Sequence, residues 1–379
     1  AVNAKKFTIQ GLEYFKKYKY KEAISLFEKA VILYKKSVGE NNFLTAEVYD
    51  FIGTSYYFLG QFQKSEQYLL RSLSIQLKTT GEIHFRTGDV YNVLGLVYFN
   101  TRNYQKAEEA FKKASFIIER TLGTNHDWLI NIYQNLTKIL ITTAKYDSGM
   151  KYAEKLLALT IRKSGENSAV AGDVYDSIGY THWSLSNYKK ALEYYEKALK
   201  ILKNTVGENS ENVVTVYIHF GITYWRTALY SKAIEYYTKA AEILKKIAGD
   251  NHYRVGDAYN LIGIIYFEMG EYQKALEYYE KAYPIFVRTL GEEHEWVSAN
   301  LNNIALVYSR TGKFDKAMEK YKEALKICLR AVGENHDRTA TIYGNIGMLN
   351  LFIKKYQDAI VYYEKSLIIF KKVLGENSD

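Results

Sequence analysis

The 379-residue chain carries one cysteine, one proline and 37 tyrosines, with 47% apolar and 25% charged residues and a formal net charge of +9. A single cysteine excludes an intramolecular disulfide framework, and no run approaches the roughly 20 apolar residues of a membrane span. An ordinary soluble balance with no visible secretory signal points to a cytoplasmic protein, while the start at Ala1 without a methionine leaves room for a removed upstream segment.

A glycine recurs at every forty-second position: Gly39, Gly81, Gly123, Gly165, Gly207, Gly249, Gly291, Gly333 and Gly375. A fixed period of this size marks a stack of like units, each burying its apolar face on its neighbours. The phase predicts one domain, 1–379, of about nine repeats at approximately 1–40, 41–82, 83–124, 125–166, 167–208, 209–250, 251–292, 293–334 and 335–376. Near-absence of proline suits long helices joined by short turns.

Each repeat predicts helix A, a tight turn, helix B and a glycine-led loop. In the seventh, Ala258, Tyr259, Ile262, Gly263 and Tyr266 have helical spacing, as do Ala275, Tyr278, Tyr279, Ala282 and Phe286. Between the two runs, Gly270 stands where a left-handed residue ends a helix.

The helix-A small residue appears as Gly11, Gly53, Gly95, Gly179, Gly221, Gly263, Ala305 and Gly347. Helix B carries Ala23, Ala107, Ala191, Ala233, Ala275, Ala317 and Ala359, followed by Phe27, Phe111, Tyr195, Tyr237, Tyr279, Tyr321 and Tyr363. At these positions the chain resembles the tetratricopeptide repeat. The longer period, the segment Leu301–Tyr308 and the loop Gly333–His336 resemble the kinesin-light-chain type. The resemblance implies an all-α fold: a right-handed α-solenoid of antiparallel helix-turn-helix repeats with helix A lining a concave groove.

Repeat four departs from the pattern, with Thr137 at the small position, Gly149 for the alanine, and Ala153 and Leu156 reversing aromatic and small. It is the expected soft point of the array. Pro284 falls inside helix B of repeat seven and predicts a local kink or loosened turn. Cys328 takes a position held elsewhere by apolar residues and reads as core. The chain ends at Glu376-Asn377-Ser378-Asp379, where a tenth repeat would begin, so the array reads as a segment of a longer protein or one that stacks end to end.

The resemblance carries ligand-facing positions onto helix A. Four residues after the small glycine come Phe15, Tyr57, Phe99, Ile141, Trp183, Trp225, Phe267, Ser309 and Leu351. Large aromatics there serve either a ligand or packing against helix B of the next repeat. Three residues before the small position stand Asp50, Asn92, Gln134, Asp176, Asn260 and Asn302, where amides can bond an extended peptide backbone. One turn earlier lie Glu47, Asp89, Asn131, Asp173 and Asp257, which equally suit a helix start. Arg226 and Arg310 complete the candidate groove.

Charge selects among partners. The candidate groove is mostly acidic, whereas Lys106, Lys190, Lys232, Lys274 and Lys316, with Lys113, Lys197, Lys239 and Lys281, form ladders on the solvent side of helix B. An acidic groove would repel phosphate. His84, His126, His252, His294 and His336 alternate with Asn42, Ser168, Ser210 and Ser378 and read as helix caps rather than metal ligands.

With no nucleophile, phosphate-loop or metal motif in view, the chain reads as a non-catalytic scaffold without cofactor or metal. It would bind a protein or peptide segment of basic or apolar character, away from membranes. The alternatives are self-association through uncapped ends and, further off, nucleic-acid binding by the convex lysine ladders.

Overall fold

The computed structural model describes residues 2–374, so Gly375 and the residues after it lie outside the description. Among the described residues there are 18 helices and no strand. The chain divides into two compact units, Ala1–Asn187 and Tyr188–Asp379.

The first unit holds α1 (Val2–Lys16), α2 (Tyr20–Val38), α3 (Phe43–Phe58), α4 (Phe62–Thr79), α5 (Phe85–Asn100), α6 (Tyr104–Thr121), α7 (Trp128–Thr142), α8 (Tyr146–Ser164) and α9 (Ala169–Ser184). The second holds α10 (Tyr188–Thr205), α11 (Glu211–Arg226), α12 (Tyr230–Ala248), α13 (Tyr253–Glu268), α14 (Tyr272–Leu290), α15 (Glu295–Arg310), α16 (Phe314–Ala331), α17 (Asp337–Phe352) and α18 (Tyr356–Leu374). Odd-numbered helices are the predicted A helices and even-numbered ones the B helices. Within each unit, a B helix packs on the A helix before it and on the one after it.

Close approach of A to B rests on the small residue. A methyl added to Gly95 would lie 2.6 Å from the Phe111 ring, and one on Gly263 2.6 Å from Tyr279. Phe27, Phe111, Tyr195, Tyr237, Tyr279 and Tyr321 are all buried, as the alternation of small and aromatic positions predicts. In repeat four the reversed pair Ala153 and Leu156 is buried too, so the volume is filled from the other position. Gly149 there has room for a methyl in ordinary van der Waals contact: the nearest atoms lie 3.5 Å away.

The turns repeat as faithfully as the helices. After each A helix, a backbone N–H reaches back five residues to close the end, as Gln61 N to Tyr56 O at 3.0 Å and Glu271 N to Tyr266 O at 2.9 Å. The residue before that donor is left-handed. It is glycine at Gly60, Gly270 and Gly312, but Tyr18, Arg102, Ala144, Ser186, Ala228 and Lys354 take φ of 56 to 62° at the same register. The period-defining glycines Gly39 to Gly333 take φ of 82 to 90°.

The histidines cap helices. The Nδ1 atoms of His84, His252, His294 and His336 accept from backbone N–H groups two residues on, at 3.2 to 3.4 Å, and His126 does the same for Trp128 at 3.3 Å. Asn42, Ser168 and Ser210 perform the same service by their oxygens. Cys328 is buried within the core of the second unit. Helix α14 runs on through Pro284 to Leu290, so the proline does not end it. No helix of the described residues is long and apolar enough to cross a membrane.

Candidate functional site

The predicted aromatic row lies near the C-terminal ends of the A helices. Tyr57, Phe99, Trp183, Trp225 and Phe267 are all half-buried. The packing partner is mainly the first residue of the helix B that follows in the same repeat, rather than helix B of the next repeat. Phe15 meets Tyr20 at 5.3 Å, Tyr57 meets Phe62 at 6.0 Å, Phe99 meets Tyr104 at 5.9 Å and Phe267 meets Tyr272 at 5.4 Å. Trp183 stacks on Tyr180 with ring centroids 5.4 Å apart.

Neighbouring A helices then join along this row. Asn100 Nδ2 donates to the Tyr57 hydroxyl at 3.4 Å, Lys138 sits 4.8 Å above the Phe99 ring, and Trp225 Nε1 donates to Glu268 at 2.6 Å. Ser309 is buried, while Leu351 is 45% exposed.

The amide row is also knitted across repeats. Asn260 Oδ1 accepts from Asn303 Nδ2 at 3.1 Å and from Asn300 Nδ2 at 3.3 Å, and Asn302 Oδ1 accepts from Asn345 Nδ2 at 2.9 Å. Sequence reasoning found Asn260 and Asn302 but missed their donors; the signal was the asparagine one position later in each following repeat. Gln134, Arg226 and Arg310 are exposed. Asp176 is 9% exposed and Asp50 only 3%, so these two lie deeper than the other members of their row.

The acids beneath this face are desolvated. Burial holds the Asp50 carboxyl well above the usual range, repulsion from Asp89 adds to it, and the Arg86 guanidinium opposes both. Burial likewise raises Asp89 against Arg86, and Asp257 against Arg254. Arg86 itself is committed to Glu47, at 2.8 Å. Between α5 and α7 a cavity of about 170 Å³ is lined by Asp89, Asn92, Trp128, Asn131 and Ile132.

On the B helices the lysine ladders rest on tyrosines, several of them from the A helix of the same repeat. Lys106, Lys232 and Lys274 lie 5.1 to 5.3 Å above Tyr98, Tyr224 and Tyr266, and Lys113, Lys239 and Lys281 cover Tyr91, Tyr236 and Tyr278 at 4.7 to 5.1 Å. Much of the high tyrosine content is therefore spent on cation–π shelves for lysine stems.

Paired helices on a 42-residue period, with an aromatic and amide face on the A helices, define a helical repeat scaffold. Tetratricopeptide repeat models match residues 14–78, 86–162, 170–246, 254–330 and 319–372, and a second such model matches 220–286. The chain belongs to the tetratricopeptide repeat family.

Solved structures share the fold at low identity. A Rap protein complexed with competence and sporulation factor is 16% identical, with a TM-score of 0.52 and 99% of each chain covered. Aspartyl phosphate phosphatase F from Bacillus subtilis is 15% identical, with a TM-score of 0.59 over 97% of this chain and 93% of its own. A STAND protein with a tetratricopeptide repeat sensor from Pyrococcus horikoshii is 17% identical, with a TM-score of 0.60; the match covers 93% of this chain and 54% of that one. Among curated proteins none matches.

Proposed function

We propose that the chain is a non-catalytic scaffold that binds an extended peptide or partner segment along the face of its A helices. The row of half-buried aromatics beside the asparagine ladder carries the reading. Asn260 and Asn302 use Oδ1 within the fold, and their Nδ2 groups are the donors assigned to a backbone carbonyl of the segment. The exposed parts of Tyr57, Phe99, Trp225 and Phe267 offer apolar contact, and the desolvated acids favour a segment of basic character. That a Rap protein of the same fold holds competence and sporulation factor supports the reading.

The test is a display selection of random unstructured peptides on the wild-type chain. Selected peptides should bind at least tenfold more weakly to a Tyr57→Ala/Phe99→Ala variant or a Trp225→Ala/Phe267→Ala variant of wild-type helicity. They should be unaffected by Lys232→Ala/Lys274→Ala. Binders that respond only to the lysine variant would place recognition on the opposite face and end the proposal.

A second reading, self-association, has its own observation: α18 exposes Ile360, Val361, Leu367 and Ile368 at 48 to 54%. Sedimentation that stays monomeric at high concentration would remove it.

A further inference from the structure

Two differences from other repeats meet at the cavity between α5 and α7. In the preceding repeat, the Arg86 guanidinium reaches back to Glu47 at 2.8 Å. Forty-two residues on, Asp89 takes the place of Glu47 and Trp128 the place of Arg86. The carboxylate is kept, and its arginine is exchanged for an aromatic ring.

The amide ladder breaks at the same point. In the second unit, Asn303 and Asn345 donate to the asparagine forty-three residues before them. Asn135 holds that register towards Asn92, yet Asn92 Oδ1 is buried with no hydrogen-bond partner. A buried acceptor without a protein donor calls for a water or a ligand group to complete it. The exchange of arginine for tryptophan removes a donor, and the Asn92 acceptor stays open although Asn135 holds the donor's register, both at one cavity of about 170 Å³.

We propose that this cavity receives an arginine side chain of the bound segment, whose guanidinium takes the role that Arg86 plays one repeat earlier. It would donate to the Asp89 carboxylate and to Asn92 Oδ1 and lay its planar face on the Trp128 indole. The inference rests on the peptide-binding reading of the A-helix face and names the residue that reading requires at one point.

Arginine suits the site better than lysine. Its planar fork can serve a carboxylate and an amide oxygen together, and it stacks on an aromatic face while charged. Asp89 is desolvated, and the one arginine that offsets it is already engaged by Glu47. An incoming cation would relieve that burial cost, whereas a neutral side chain would leave it in place.

The experiment uses N-acetyl-arginine amide as a probe, followed by saturation-transfer NMR with the whole chain. Expected are saturable binding by this probe and at least tenfold weaker binding by the neutral isostere N-acetyl-citrulline amide. Asp89→Asn should weaken the probe at least tenfold. Trp128→Arg, which restores the arginine of the previous repeat, should fill the cavity and abolish binding with helicity intact. Should Asp89→Asn fail to fold, Trp128→Arg decides.

Equal binding of the citrulline probe, undiminished binding by a folded variant, or no signal from the arginine probe would overturn the inference. Failure of the underlying reading looks different. Probe binding in the cavity with no selected peptide on the A-helix face would remove the peptide reading and leave the cavity as a guanidinium site. Peptide binding that ignores both substitutions would remove the cavity assignment alone.

Discussion

Arg86 on α5 closes an ion pair with Glu47 on α3 at 2.8 Å, from one repeat to the one before it. Its charge also faces Asp50 and Asp89, so one guanidinium offsets three carboxylates. Arg86→Met removes that cation and keeps most of the stem's packing. Unfolding in urea at pH 7 should show a loss of about 1–3 kcal/mol, the range for stranding partly buried charge. A variant as stable as the parent would show that solvent already screens these acids.

Asp50 gives a pH dependence of definite sign. Burial lifts its folded pKa well above the usual 3.8, so the folded chain holds the proton more tightly than the unfolded one. Stability is then lost as pH rises from about the unfolded value through the folded one, and the full cost is present above it. Asp50→Asn keeps an oxygen for the Thr54 hydroxyl, which donates to Asp50 at 3.3 Å. The substitution should raise the melting temperature at pH 7.5 by about 1–3 °C, and the gain should shrink towards pH 4. An equal gain at both pH values contradicts this.

Two glycines of the same residue type and helical setting should respond in opposite directions. A methyl on Gly95 meets the Phe111 ring at 2.6 Å, and overpacking of this kind costs about 1–3 kcal/mol. A methyl on Gly149 meets nothing nearer than 3.5 Å, so Gly149→Ala should gain about 1 kcal/mol from helix propensity. Denaturant unfolding of the two variants gives the signs directly. A stabilised Gly95→Ala would mean that Phe111 can move aside.

The capping histidines contribute through one nitrogen each. His252 Nδ1 accepts from Arg254 N at 3.4 Å, the service that Ser168 and Ser210 give in repeats five and six. His252→Ala should cost about 1 kcal/mol and His252→Ser most of nothing, as measured by thermal melting. Equal losses in both would point to the ring's contact with Tyr253, 4.7 Å away, instead of the cap.

Fold and caps are legible in the sequence because both are periodic. Gly95 against Phe111 and His84 against Ser168 occupy fixed registers, and a register fixes a role. Contacts that run between neighbouring repeats are harder to read. The bond from Asn303 to Asn260 needs the relative height of two A helices, which the pattern within one repeat does not contain. Trp128, at a helix start, has no special meaning in the sequence until the Arg86–Glu47 bond one repeat earlier is known. Asp50 shares a column with Asn92 and Asn260, and the column alone places it among ligand-facing residues. Its burial depends on neighbours from two helices and not on its column.

Hydrogen–deuterium exchange with a selected peptide bound tests the central claim most directly. Protection should concentrate in the A helices, including α5 and α13, with the exposed lysine-bearing stretches of α6, α12 and α14 unchanged. Protection confined to those B helices or to the glycine-led loops, with the A helices exchanging as in the free chain, would contradict it.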